Sequence, residues 1–194
     1  RYCRLDFWAM VAETYFKQYT EDDVAYTGAK KFICLNRKPH THWRILIQYL
    51  DQVKEHGHLT SSVDPNLIDA DVGDYPILND IYTLGDLDTW KDSYLNIVTE
   101  TTFDNEDFFI SEKTWKPLFS GQLFLILGPV GVIEYLRDIG VDVFDDVIDH
   151  GYDREPDLQT KIGRLMTAIS NLLTKDLDQI WQDTYHRRQK NLDL

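Results

Sequence analysis

Lys113 breaks a local rule. It stands in the first turn of a helical pattern, directly after Ser111 and Glu112. The start of a helix carries a partial positive charge, so a cation there is unfavourable unless something anionic sits beside it. Ser111 is a good N-cap and Glu112 suits the helix dipole, so both have a purely helical explanation. Lys113 has none, and it points to an anionic ligand. Two more polar groups look alike. Thr99-Glu100 closes the apolar run Tyr94–Val98. Asn36-Arg37-Lys38-Pro39-His40, a basic turn in an acidic chain, closes the run Lys31–Leu35, with Arg44 early in the pattern that follows. Cations and carboxylates on such turns hold ligands through charge-assisted hydrogen bonds.

The elements that must position these residues alternate. Lys31–Leu35 reads as a strand, and His42–Val53 as an amphipathic helix that Thr41 caps and Gly57 closes. Tyr94–Val98, Phe108–Ile110, Leu123–Leu127 and Val141–Phe144 are further short apolar runs. Helical patterns run from Ser111 to Gly121, where Pro117 bends or shortens the helix, and from Val132 to Asp138 after a Gly128-Pro129 turn. Such alternation predicts an α/β fold, a Rossmann-like, mostly parallel sheet flanked by helices. In such sheets ligands bind beyond the carboxyl ends of the strands, where Thr99, Glu100, Ser111, Glu112 and Lys113 collect. Residues 59–92 read as Asp- and Gly-punctuated loops. After Pro156 two amphipathic patterns form a C-terminal helical tail. It ends in His186-Arg187-Arg188-Gln189-Lys190, cations suited to a helix C-terminus. The division is 1–29, an aromatic-rich helical segment; 30–153, the Rossmann-like domain; and 154–194, helices packing on it.

Composition excludes several classes. Net charge is −13, which disfavours a broad grip on nucleic acid phosphates, although a single phosphate site needs only local donors. The Asp spacing in 59–92 lacks the calcium-loop pattern, and His56-Gly57-His58 has no nearby Cys or further His, so no metal is expected. His40 and His42 read as surface residues, and Trp43, Trp90, Trp115 and Trp181 mostly as core. Cys34, inside an apolar run, reads as a buried thiol, which suits a reducing, cytoplasmic setting; Cys3 forms no framework with it. No run spans a bilayer and no signal peptide is visible. The chain opens on Arg1, as a cut fragment would.

The segment FFISEKTWKPLFSGQLFLILGP resembles the donor-binding region of alpha-1,3-fucosyltransferases, where a strand leads into Thr/Ser-Glu-Lys, a short helix and an apolar strand ending in Gly. SYLNIVTET resembles the strand just upstream there, and KKFICLNRKPHTHWRILIQYL the first strand and helix of that domain. The chain also looks like phage and bacterial proteins carrying the SEKT-x-KP pattern. The resemblance covers roughly Lys30 to Phe144. It implies the C-terminal, nucleotide-sugar-binding half of a GT-B glycosyltransferase, working without a metal or a tightly bound cofactor. Its donor would be a nucleoside-diphosphate sugar, a GDP-sugar favoured. By that resemblance Glu112 bonds the nucleotide ribose, Lys113 and Arg44 pair with the diphosphate, and Glu100 lies near the sugar or base. Asn36, Arg37 and Ser111 complete the expected binding set; the catalytic residues and the acceptor are not implied.

That family keeps its general base and acceptor groove mainly in an N-terminal domain, and 1–29 is too short to be one. The alternative expectation is therefore a non-catalytic binding module derived from a glycosyltransferase half. Such a module docks through its aromatic face at residues 5–16, to a missing domain or to a second copy.

Overall fold

A parallel strand is buried on both faces and reads as a continuous apolar run rather than an alternation. The computed structural model obeys this. It describes residues 26–36, 40–60, 84, 87–103 and 108–194. Four strands, β1 (Lys30–Cys34), β2 (Gly57–Leu59), β3 (Ser93–Thr99) and β4 (Leu123–Leu127), form one all-parallel sheet in the order β2-β1-β3-β4. Every residue of β3 and β4 is buried. Among the described residues seven α-helices flank the sheet: α1 (Thr41–Leu50), α2 (Leu87–Lys91), α3 (Glu112–Phe119), α4 (Val132–Asp138), α5 (Leu158–Leu173), α6 (Leu177–Asp183) and α7 (Tyr185–Leu192). The expected Rossmann-like α/β architecture with a helical tail is present. The aromatic segment 5–16, Cys3, Arg37 and most of 59–92 lie outside the described residues. No helix among the described residues is long and apolar enough to cross a membrane.

The connections run opposite ways from the middle. β1 passes through α1 to β2 on one side, and β3 passes through α3 to β4 on the other. Right-handed crossovers therefore put α1 and α3 on opposite faces. Their partners differ accordingly: α1 packs with α5, and α3 with α7. The strand order thus reverses between β1 and β3, and a crevice opens there at the carboxyl ends.

Two expected strands do not form. Phe108–Ile110 and Val141–Phe144 are unpaired, although Ile110, Val141, Val143 and Phe144 are all buried in the core. The outer edge of β4 is closed by side chains instead. The Ile126 N–H donates to the Tyr152 hydroxyl (3.1 Å), Tyr152 contacts His150 Nδ1 (3.1 Å), and His150 Nε2 meets the Val143 carbonyl (2.7 Å). One outward donor of that edge is thereby occupied by a side chain.

One unexpected strand does form. Gly57, read as a helix stop, begins β2. The helix before it ends earlier than its apolar pattern, at Leu50, and a 3₁₀ segment (Asp51–His56) bends at Val53. Nor does Thr41 cap α1. It is the first helical residue, and His40, at the N-cap position, makes no side-chain capping bond. Ser111 does cap α3, accepting from the Lys113 N–H (3.3 Å), and Gly121 follows α3 with positive φ (65°). Trp43, Trp90 and Trp115 are core as expected, and Cys34 is a buried free thiol.

The tail is not an appendage. Ile162, Leu165, Ile169 and Leu172 of α5 belong to the central apolar cluster, and Asp157, just after Pro156, caps α5 through Thr160 N–H (2.8 Å). The basic end serves other elements than its own helix. Arg187 pairs with Asp142 (2.6 Å) and Asp146 (2.8 Å). Arg188 donates to the carbonyls of Gly121 (2.8 Å) and Trp181 (2.9 Å), at the ends of α3 and α6, and lies 3.5 Å above the Trp181 ring.

Gly57 tests the β1–β2 packing. A Cβ there would lie 2.4 Å from the Phe32 ring, which is wholly buried. Gly57→Ala should cost about 1–3 kcal/mol, the usual penalty of overpacking, read as a lower urea midpoint at unchanged slope.

Candidate functional site

Asn36 and Thr99 follow or end the two strands that flank the crevice, and the Thr99 hydroxyl donates to the Asn36 side-chain oxygen across it. Asn36 is fixed further by its N–H to Thr60 Oγ1 (2.9 Å) and its amide to Cys34 Sγ (3.2 Å). Burial pushes the Cys34 thiol up to about 12, the Asn36 contact opposing, so the sulfur stays protonated.

Glu100, the next residue on β3's side, is 1% exposed. Both carboxylate oxygens accept from the Ser111 N–H (3.1 Å each), and one accepts from the Thr114 hydroxyl (2.5 Å). Its own N–H donates to the Leu127 carbonyl (2.8 Å), and its carbonyl meets His42 Nε2 (2.7 Å). Desolvation raises the Glu100 carboxyl above the ordinary range, with Lys113 and the Ser111 and Thr114 bonds opposing. The carboxylate thus binds the N-terminus of α3 from inside the protein. It presents no surface to a sugar or base, and its place in the site is to position Ser111.

Lys113 and Glu112 lie outside this knot. Lys113 Nζ reaches Glu112 (2.9 Å), Thr101 Oγ1 (3.3 Å) and Ser111 Oγ (3.4 Å). The pair is half-buried, with the Lys113 side chain 38% and the Glu112 side chain 12% exposed. Across the crevice, α1 begins without a side-chain cap and without an acidic residue in its first turn, and Arg44 is exposed beside it. Both helix starts border the crevice, each with a cation. Arg37 lies outside the described residues, so the basic turn contributes Asn36 and His40 here, and α1 contributes Arg44.

The histidine expectation changes. His42 is buried, not superficial, and stacks between His40 (5.7 Å) and Phe103 (6.0 Å). Desolvation lowers its imidazole below the ordinary value, the Glu100 carbonyl opposing. His58 meets Asp92 (3.2 Å) far from this cluster in the chain. Among the described residues no group of three or more His, Cys, Asp or Glu converges to hold a metal.

Two residues at the end of β4 escaped the sequence reading. Lys161 is 0% exposed and donates to the carbonyls of Gly128 (2.8 Å), Pro129 (3.4 Å) and Asp153 (3.4 Å). Desolvation brings its ammonium down to about 8, with Asp153 opposing. Asp153 Oδ2 accepts from Ile133 N–H (3.2 Å) and Glu134 N–H (3.4 Å) at the start of α4. Together they hold the Gly128–Gly131 turn, which packs against Glu100: a Cβ on Gly128 would stand 3.1 Å from Glu100 Cγ. The readable signal was a lysine at a stripe position of α5, four residues before Leu165.

Removal of the Glu100 carboxylate leaves a buried N–H and a buried hydroxyl unpaired, each worth about 1–3 kcal/mol. Glu100→Ala should therefore lower stability by about 2–5 kcal/mol in urea titrations, and Glu100→Gln, which keeps an acceptor oxygen, by clearly less. His42 gives a pH test. An unfolded imidazole takes its proton at about 6.5, and the buried one below that. As pH falls through about 6.5 the unfolded chain holds more protons, so the His42 contribution to stability is lost. The stability lost by the wild type between about pH 7 and 5.5 should shrink in His42→Gln.

Compared with family models, curated proteins and solved structures, the chain has no match, and the crevice geometry is what carries the functional reading.

Proposed function

We propose that this chain is the donor-binding unit of a GT-B-type glycosyltransferase, taking a nucleoside-diphosphate sugar in the crevice between β1 and β3. The observation that carries it is the meeting of two helix starts, one with the half-buried Lys113 and one with the exposed Arg44, at the point where strand order reverses. The leaving group of such a donor is a nucleoside diphosphate. Lys113, Arg44 and the free N–H groups at the start of α1 stabilise its developing charge, and no metal is needed for that step. Glu112, released from Lys113, accepts the ribose hydroxyls. Asn36 and Ser111 shape the floor, and Glu100 holds Ser111 in place. The resemblance of 30–144 to fucosyltransferases favours GDP as the nucleotide.

One observation favours a second reading, a module that binds without transferring. The carboxylate and imidazole at the crevice, Glu100 and His42, are both engaged in internal bonds. A general base would then come from another domain or another copy of the chain.

A thermal-shift panel of GDP, UDP, ADP, CMP and dTDP, with and without magnesium, tests the site. One diphosphate should raise the melting temperature by several degrees at about 100 times its Kd, and magnesium should not change the result. Lys113→Ala should weaken that nucleotide about tenfold, for the loss of a charge-assisted bond of about 1.5–3 kcal/mol. Unchanged affinity removes Lys113 from the site, and no shift with any nucleotide overturns the donor-binding reading. Transfer or hydrolysis of the sugar by the isolated chain would sink the second reading.

A further inference from the structure

His42 bridges the floor of the β1–β3 crevice. It is the second residue of α1, which follows β1, and its Nε2 meets the Glu100 carbonyl just beyond β3 (2.7 Å). A carbonyl oxygen only accepts, so Nε2 carries the hydrogen and the neutral ring leaves a bare lone pair on Nδ1. Among the described residues Nδ1 has no hydrogen-bond partner. Two circumstances keep the ring neutral in the free protein. It is 6% exposed, and desolvation lowers its imidazole below the ordinary value. It also stands at a helix start, where the backbone dipole opposes a positive charge. The charged groups around it do not offset this. His40 stacks on it (5.7 Å) and acts against a second positive charge. Phe103 lies at 6.0 Å, with the Lys161 ammonium 5.4 Å from that ring. Arg44 is on the same helix, and Lys113, bonded to Glu112, stands across the crevice on α3. The Glu100 carboxylate is turned to Ser111 and Thr114. Among the described residues no acidic side chain is bonded to the imidazole.

We propose that His42 takes up a proton when a nucleoside diphosphate occupies the crevice, Nδ1 accepting it from solvent, so that the ligand is held partly by an imidazolium and more tightly as pH falls. The inference rests on the donor-binding reading of the crevice. A diphosphate at the α1 start supplies the anion that the free protein lacks beside this ring. It offsets the unfavourable field of the helix start, and a nearby opposite charge favours the protonated imidazole. Nε2–H keeps its bond to Glu100 in both states, so protonation changes the charge without breaking the α1–β3 bridge. An ordinary imidazole titrates at about 6.5, the buried one of the free protein below that, and the liganded one above the free one. Between the free and the liganded values, binding draws a proton from solvent, and affinity rises on acidification.

GDP is the probe, with UDP and ADP in parallel, titrated calorimetrically into the whole chain at about pH 6.5 in buffers of different ionisation enthalpy. The dependence of the heat on the buffer counts the protons taken up. The terminal phosphate itself titrates at about pH 6, but it does so with every variant of the protein, so variants are read against the wild type. The wild type should take up a larger fraction of a proton than His42→Gln, whose amide N–H can still donate to the Glu100 carbonyl. From about pH 7.5 down to 6, wild-type affinity should rise several-fold more than that of the variant. His40→Gln should keep the uptake. If His42→Gln does not fold or bind, nitrogen NMR of the His42 ring in the wild type, with and without the nucleotide, should show it moving toward imidazolium on binding. Equal uptake in wild type and His42→Gln, uptake lost in His40→Gln instead, or a ring that stays neutral in the complex overturns the proposal and leaves nucleotide binding standing. Absence of binding by all three nucleotides overturns both this proposal and the donor-binding reading.

Discussion

Glu100 joins four elements by its own atoms. Its N–H reaches the end of β4, its carbonyl receives His42 from α1, and its carboxylate receives Ser111 and Thr114 at the start of α3. A buried carboxylate is expensive unless donors reach it, and here the Ser111 N–H and the Thr114 hydroxyl do. The crevice geometry follows. With Ser111 fixed, the α3 start faces the crevice, and Lys113 projects from it into contact with Thr101. With His42 fixed, the α1 start lies on the other side, uncapped. The same burial that makes Glu100 unavailable to a ligand makes the neighbouring donors rigid, and preorganised donors bind an anion without reordering.

The end of β4 uses a second buried charge in the same way. Lys161 crosses from α5 to three carbonyls, and Asp153 fills the first free N–H groups of α4. Helix ends and tight turns leave backbone groups unpaired, and each must find a partner. In this fold those partners come from far along the chain: Asp153 for α4, Arg188 for the turn after α3, Tyr152 for the edge of β4. The C-terminal helices are thus part of the sheet's support. This explains why the tail is bound into the same core as the strands.

The acidic balance has a local side too. The return after α4 carries Asp142, Asp145, Asp146, Asp149 and Asp153. Arg137 and Arg187 neutralise the first three, and the buried Lys161 ammonium faces Asp153. A net charge of −13 therefore says little about any one surface. The β1–β3 crevice presents Lys113 and Arg44 within a chain of net negative charge.

Local chemistry determined much of this protein. The apolar runs at β1, β3 and β4, the helical patterns between them, the Ser111 cap and the Gly121 stop all follow from side-chain pattern and backbone freedom over a few residues, and they sufficed for a parallel α/β sheet with polar residues at its carboxyl ends. The odd position of Lys113 was legible for the same reason. What tertiary structure decided is what depends on distant partners. A three-residue strand at Gly57–Leu59 exists because β1 offers it an edge, and Phe108–Ile110 and Val141–Phe144 stay unpaired although their pattern resembles a strand. Glu100, read as a ligand contact, turned inward because Ser111 and Thr114 needed an acceptor there, and His42 followed it. Lys161 and Asp153 have no local reason to be buried together; only the folded chain brings α5 and the 145–154 return to the same turn. Pattern over a few residues fixes elements, whereas the environment of a buried charge is set by residues tens of positions away.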